Sequence, residues 1–258
     1  MDAQTLLAED GTGRAHVPRR SMKETIADKL ATLIASGVLS VGDELPAERD
    51  LASVMGVSRE TIRGALLILS TRGILTVVQG ARTTVASIDV GEMALSGMLY
   101  RDVMTYGLDE VHEARLLIEA RIARLAAAQI ETSALDRLSD LIAAQEAAGA
   151  DPVRFLISDR EFHTVVYRAC GNGVLSDVAT TLYAYLLDHR RRVIARPGAI
   201  QTSISDHRAI HDALARRDAD AVAAAFAVHE RRIYETTRQI MPKAGTAARP
   251  TNGGGKTP

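Results

Sequence analysis

Apolar residues recur at helical spacing through most of the chain, and one short stretch departs from that rhythm. Ile26, Leu30, Leu33 and Ile34 lie at i, i+4, i+7 and i+8, which predicts a helix over about 22–36 with one inward face. Gly37 and Gly42 bracket the turn that follows. A short helix is predicted at about 46–55, with Pro46 at a first helical position, where its missing N–H is not needed. Gly56-Val57 makes a tight turn, and a further helix runs from Ser58 to about Arg72. The departure comes next: Ile74-Leu75-Thr76-Val77-Val78 reads as a strand, followed by a glycine turn and a second strand, Thr83-Thr84-Val85. Residues 86–91 form a linker. Beyond it only helical periodicity is found, with candidate helices at about 92–105, 109–130, 133–148, 152–170, 173–196, 200–216 and 219–239. Gly107, Thr132, Gly149, Gly171-Asn172-Gly173, Pro197-Gly198 and Asp218 mark the breaks.

The expected architecture is therefore mainly α. A flexible arm (1–18) precedes a helix-turn-helix unit with a small hairpin wing (19–86). An all-helical bundle of six to seven helices (92–241) follows, then a disordered tail (242–258) low in apolar residues and rich in Gly, Pro and Thr.

Two helices joined by a short glycine-containing turn, the second opening on Ser-Arg, have the form of a DNA-reading helix-turn-helix. Ser58 suits an N-cap, because its hydroxyl can accept from the free amides of the first turn. Arg59 and Arg63 share a face at i, i+4, while Ile62, Ala65, Leu66 and Leu69 point inward. Arg49, on the preceding helix, can reach a phosphate or a groove edge. Arginine suits this task because its planar fork grips guanine or phosphate with two bonds at once. A lone surface arginine is ordinarily just solvated; three on the outer side of such a unit, beside a wing, point to DNA.

Bulk composition refines this picture without altering it. With a net charge of −1 over 258 residues, DNA binding must come from local charge, and Arg14, Arg19, Arg20 and Lys23 stand just ahead of the unit. The single cysteine, Cys170, excludes an internal disulfide framework and reads as a small core residue on a helix. The N-terminus is polar and acidic, unlike a signal peptide. The richest apolar run, AVAAAFAV, is far short of the roughly 20 residues that span a bilayer. A cytoplasmic protein with no membrane partner is expected.

A second constellation lies in the helical region. Asp159 and His163 are i, i+4 on one helix and share a face with Val166 and Cys170, so that face points inward. His207 opens the stripe His207, Ile210, Leu214, and His229 lies between Phe226 and Ile233 at helical spacing. One carboxylate and three imidazoles facing a bundle core could hold a divalent transition metal ion such as Zn or Ni. They could equally be buried histidines with ordinary hydrogen bonds, and spacing alone leaves both readings open. Arg115 has Glu119 at i+4, so an intrahelical ion pair is available to it.

In its first third the chain resembles the GntR-type winged-helix regulators: LPAERDLA, GVSRETIRGAL, L-x-x-x-G-I-L and a glycine wing occur in order. The resemblance covers about 22–85. It implies that Arg49, Ser58, Arg59, Thr61 and Arg63 touch operator DNA and that the wing tip, Gln79-Gly80, enters the minor groove. The chain departs from the family in having Gly80-Ala81-Arg82 where many members have G-x-G, so Arg82 becomes a candidate phosphate contact. Gly64 replaces a frequent glutamate and leaves room for a close backbone approach. About 95–240 resembles the FCD ligand-binding domain of the FadR subfamily, through D-x-x-x-H, a histidine opening H-R-A-I-x-x-A-L, a histidine late in the last helix, and EARLLIE. This resemblance implies that Asp159, His163, His207 and His229 hold a metal ion and that Arg115 faces an effector pocket. It also implies a homodimer, with His211 left outside the site.

The expectation is then a regulator, not an enzyme. It binds double-stranded operator DNA as a homodimer, most simply as a repressor, and responds to a small organic acid held by metal and Arg115. Two alternatives remain: a metal-dependent hydrolase, against which no separate general base is recognisable, and a metal-free module for an acyl or sugar acid fused to a DNA reader.

Overall fold

The computed structural model describes residues 21–77, 82–90, 106–185 and 187–240. The arm, the tail, the 92–105 helix, Arg14, Arg19, Arg20 and the wing tip Gln79-Gly80 lie outside the described residues.

The first helix, α1 (Met22–Ala35), starts on a capping box: Ser21 accepts from the Glu24 amide while the Glu24 carboxylate accepts from the Ser21 amide at 2.7 Å. The four residues of its expected inner face are at most 1% exposed. α2 (Glu48–Met55) begins two residues after Pro46, so the proline precedes the N-cap and does not open the helix. The N-cap is Ala47, which makes no side-chain cap. Gly56 ends α2 in the left-handed region, at φ 65°, where glycine carries no Cβ penalty. α3 (Arg59–Thr71) is capped by the Ser58 hydroxyl, which accepts from the Thr61 amide at 3.1 Å. Ile62, Ala65, Leu66 and Leu69 are buried against α1 and α2. A Cβ on Gly64 would sit 3.3 Å from Lys23 Cδ, so the close approach that glycine permits is to α1.

The wing is smaller than the apolar run suggested: β1 (Leu75–Thr76) pairs antiparallel with β2 (Thr84–Val85), Leu75 opposite Val85. Residues 42–45 add a third edge through the Glu44–Thr84 bridge, with Gly42 N–H donating to Val85 O and Leu45 N–H to Thr83 O.

The second unit is helical throughout its described residues: α4 (Leu108–Gln129), α5 (Thr132–Ala148), α6 (Pro152–Ala169), α7 (Gly173–Tyr185), α8 (Leu187–Ile194), α9 (Ala199–Ala215) and α10 (Ala219–Ile240). The helix expected at 173–196 is described as α7 and α8 on either side of Leu186, which lies outside the described residues, and α8 ends at Ile194. Long α4 and α10 pack along each other, α6 packs on α4 and α5, and α9 bridges α5 and α10. Cys170 is buried but caps the end of α6 instead of lying within it. Among the described residues, no helix is long and apolar enough to cross a membrane.

One continuous apolar core runs through both units. Around it, charged side chains of the bundle grip the DNA-reading unit. Arg137 Nη1 donates to Ser53 O at 2.9 Å and Arg154 pairs with Asp50 at 2.9 Å. Arg160 donates to Lys29 O at 2.9 Å, and Glu161 pairs with Lys29 at 2.7 Å. Arg191 holds the 38–43 turn, donating to Val38 O at 3.0 Å, to Ser40 Oγ at 2.8 Å and to both Asp43 oxygens.

Candidate metal centre and nucleic-acid interface

Three helices bring the four inward acidic and imidazole side chains together. Asp159 and His163 project from α6, His207 from α9 and His229 from α10, and one ligand atom from each lies within 4.8 Å of all the others. All four are sealed, at 1% exposure or less. Phe162 stacks on His207 at 4.2 Å, and Phe226 meets His163 edge-on at 5.9 Å.

The orientation of the imidazoles follows from their outer nitrogens. His207 Nδ1 lies 2.8 Å from Gln145 Oε1, and His229 Nδ1 lies 3.3 Å from Asp206 Oδ2. Both partners are acceptors, so each Nδ1 carries the proton and each Nε2 keeps a lone pair. His163 Nδ1 faces Tyr167 Oη at 3.5 Å, and that hydroxyl donates its own proton to Glu119 at 2.7 Å. The Nε2 atoms of all three rings are buried and have no hydrogen-bond partner among the described residues. Burial, above all, pushes all three pKa values well below the ordinary histidine value, reinforced by Arg190 in each case and by His229 for His163 and His207. Three neutral imidazoles aiming orphaned lone pairs at one point beside a carboxylate form a donor set that fits a divalent transition ion. The buried polar atoms left unpaired there give an independent reason to expect an occupant.

Asp159 is already attended: Arg190 Nη2 lies 3.0 Å from Oδ1, and the Tyr183 hydroxyl donates to Oδ2. Arg190 is buried, and its Nε and Nη1 have no partner among the described residues. Arg115 is equally buried, pairing with Glu119 and Glu230 at 2.8 Å each, so the intrahelical ion pair that its spacing offered does form. Its Nη1 remains unpartnered among the described residues. Burial, offset by Arg115 and reinforced by Glu119, raises the Glu230 carboxyl to about 8. Both arginines lie over the Tyr183 ring, at 5.7 and 5.3 Å from its centroid. A cleft of about 350 Å³, lined by Arg196, Ser203, Asp206, His229 and Arg232 among others, leads from the surface to the His229 edge of this centre. His211 stays outside it, against Ser139 at 3.1 Å, and His112 stacks on Tyr234.

On the other unit, Arg49, Arg59 and Arg63 are largely exposed and Thr61 is half-buried at the start of α3. The Ser58 hydroxyl is engaged in capping α3. Arg82 pairs with Glu44 at 3.0 Å.

Sequence reasoning missed Arg190, Tyr183, Gln145, Asp206 and Glu230. Asp206 and Glu230 each precede or follow a site histidine, which was the available signal. Arg190 sat in the run DHRRR, which reads as a solvated charge cluster.

Comparison with known proteins finds a match for each of the two units. Residues 22–85 match the family described as bacterial regulatory proteins, gntR family, and residues 110–232 match the FCD domain. The HTH-type transcriptional repressor NanR of Cronobacter sakazakii is 29% identical over 252 residues, covering 94% of this chain and 96% of the relative. NanR of Citrobacter rodentium is 29% identical over 219 residues, covering 82% and 83%. The solved structure of E. coli McbR/YncC has the same fold at 20% identity, with a TM-score of 0.52, covering 85% of this chain and 98% of that one.

Proposed function

Since this chain belongs to the GntR family of bacterial regulatory proteins and carries an FCD domain behind its DNA reader, we propose that it is a cytoplasmic, homodimeric repressor. Its hold on operator DNA is controlled by a small organic acid bound beside a divalent transition ion. The observation that carries the effector part is the meeting of Asp159 with three unpartnered imidazole Nε2 atoms in a sealed core.

Asp159, His163, His207 and His229 would hold the ion, with Gln145, Asp206 and Tyr167 fixing the rings. Such an ion supplies a Lewis-acidic seat for a carboxylate oxygen. Around that seat Arg115 and Arg190 carry two positive charges against those of Asp159 and Glu119, with Glu230 largely protonated at neutral pH. The surroundings are thus close to neutral before any ion enters, and a bound cation leaves a surplus that an anionic effector offsets. Arg190 Nη1 and Nε and Arg115 Nη1 are the donors free to take its remaining oxygens. The cleft beside His229, with Arg196 and Arg232 at its walls, is the way in. On the DNA side, Arg49, Ser58, Arg59, Thr61 and Arg63, with the wing tip Gln79-Gly80, meet the operator. Two copies would read a short palindrome in successive major grooves.

One observation favours a metal-free variant: both Asp159 oxygens already have partners in Arg190 and Tyr183. Metal analysis of purified protein and of His207→Ala and His229→Ala separates the two. Loss of bound metal in both variants supports the metal centre; unchanged metal content rejects it. A thermal-shift screen of small organic acids with and without added Zn or Ni then tests the effector class. Stabilisation by acids only in the metal-loaded protein is expected, and indifference to every acid would overturn the effector assignment.

A further inference from the structure

The DNA-facing arginines are not free. Glu48, the first residue of α2, reaches across to α3, where its Oε2 lies 3.0 Å from Arg63 Nη2 and its Oε1 3.4 Å from Arg63 Nε. The same Oε2 is 3.9 Å from Arg59 Nη2. Arg63 and Arg59 are 59% and 64% exposed, so nothing but this carboxylate and Glu60, 3.6 Å from Arg63 Nη1, restrains them among the described residues. Arg49 is not part of the grip, as its Nε faces Asp50 at 3.6 Å. The wing repeats the arrangement, with Glu44 beside Arg82.

We infer that Glu48 is a specificity-determining residue, which positions Arg63 and Arg59 for base edges and withholds them from phosphate. The inference rests on the proposed reading of α3 as the recognition helix. An exposed arginine neutralises phosphate on any duplex, which adds affinity but no discrimination. With a carboxylate at 3.0 Å, the pair presents little net charge to a backbone, and the carboxylate itself repels phosphate. A guanine edge is uncharged and is not repelled. It needs only two N–H groups held in the right plane, and a guanidinium gripped along its Nε–Nη2 side still offers Nη1 and the remaining Nη2 proton. Glu48 thus weakens binding to every sequence and weakens it least where a guanine is offered.

The test uses the full-length protein, an operator duplex enriched from a random pool by binding to the parent, and a random duplex of equal length, over a range of salt concentrations. E48Q keeps the size of the side chain and removes its charge. It should bind the random duplex several-fold more tightly, steepen the logarithmic salt dependence on that duplex by about one, and lower the operator-to-random ratio about tenfold. E48D should restore the weak binding to random duplex. In an R63A R59A background, E48Q should relieve only the carboxylate's own repulsion of phosphate, tightening operator and random duplex alike and leaving their ratio unchanged. An unchanged ratio and salt slope in E48Q would overturn the inference, as would an equal effect of E48Q in the R63A R59A background. If R63A R59A alone retains the full operator preference, the reading of α3 itself fails, whatever E48Q does.

Discussion

At the scale of single residues, the proposed metal centre would depend on groups that never touch the ion. Gln145 Oε1 accepts from His207 Nδ1 at 2.8 Å and so fixes both the tautomer and the plane of that ring. Gln145→Ala should leave the four ligands in place and weaken metal binding about 10- to 100-fold, the usual cost of losing such a support. His207→Ala should abolish tight binding altogether. Competition against a chelator of known affinity measures both, and a Gln145→Ala protein that holds metal like the parent would contradict the role given to the amide. The clustering of these four residues was legible because helical spacing exposes it: Asp159 and His163 are one turn apart, His207 opens an apolar stripe, and His229 interrupts one. Arg190 was not legible. It stands in the run DHRRR, and arginines in a run usually face water.

At the scale of elements, the helix starts decide how well each reader or ligand is presented. Ser58 caps α3, and Asp151 caps α6 by accepting from the Val153 and Arg154 amides, with Pro152 next. α2 has no such cap, because Ala47 stands in an N-cap conformation, at φ −56° and ψ 148°, without a side-chain acceptor. Ser58→Ala and Asp151→Ala should each cost about 1 kcal/mol, and Ala47→Ser should stabilise by a similar or smaller amount. Urea denaturation midpoints check all three, and a neutral Asp151→Ala would show that packing alone holds the start of α6. The same region shows the limits of local signals. Pro46 suggested a helix start, yet the chain stays extended through Ala47 because residues 42–45 are recruited to the wing by Thr83 and Val85. A short segment with no apolar alternation gives no sign of that long-range pairing. The order of helices was legible almost throughout, since Gly and Pro fall between periodic stretches.

At the scale of the molecule, the two units meet through charge laid over a shared core, and one line of contacts joins the candidate centre to the DNA reader. Asp159 holds Arg190; the next residue, Arg191, holds Asp43, Ser40 and Val38 in the turn that leads into the wing edge at Glu44. The partner of Asp159 and the clasp on the DNA-reading unit are thus neighbours in the chain, and a coupling between them is the expectation tested below. Burial alone would raise the Asp43 carboxyl, but its hydrogen bond and charge pairing with Arg191, together with the Ser40 amide, bring it below the ordinary value. A carboxyl lowered on folding contributes stability that is fully present above its unfolded value of about 4 and is lost as pH falls through the folded value. The clasp is thus intact at neutral pH, and removing it takes mutation or strong acid. Arg191→Ala and Asp43→Ala should each retain operator affinity within a few-fold, because neither residue belongs to the reading face. Both should lose most of the change in that affinity on adding an effector acid. Linkage requires the reciprocal effect, so operator DNA should no longer alter acid binding in either variant. Operator titrations at saturating and zero acid decide the matter. If Arg191→Ala responds to the acid as fully as the parent, coupling runs instead through the contacts of Arg137, Arg154 and Glu161, and the line from Asp159 to Asp43 carries none of it.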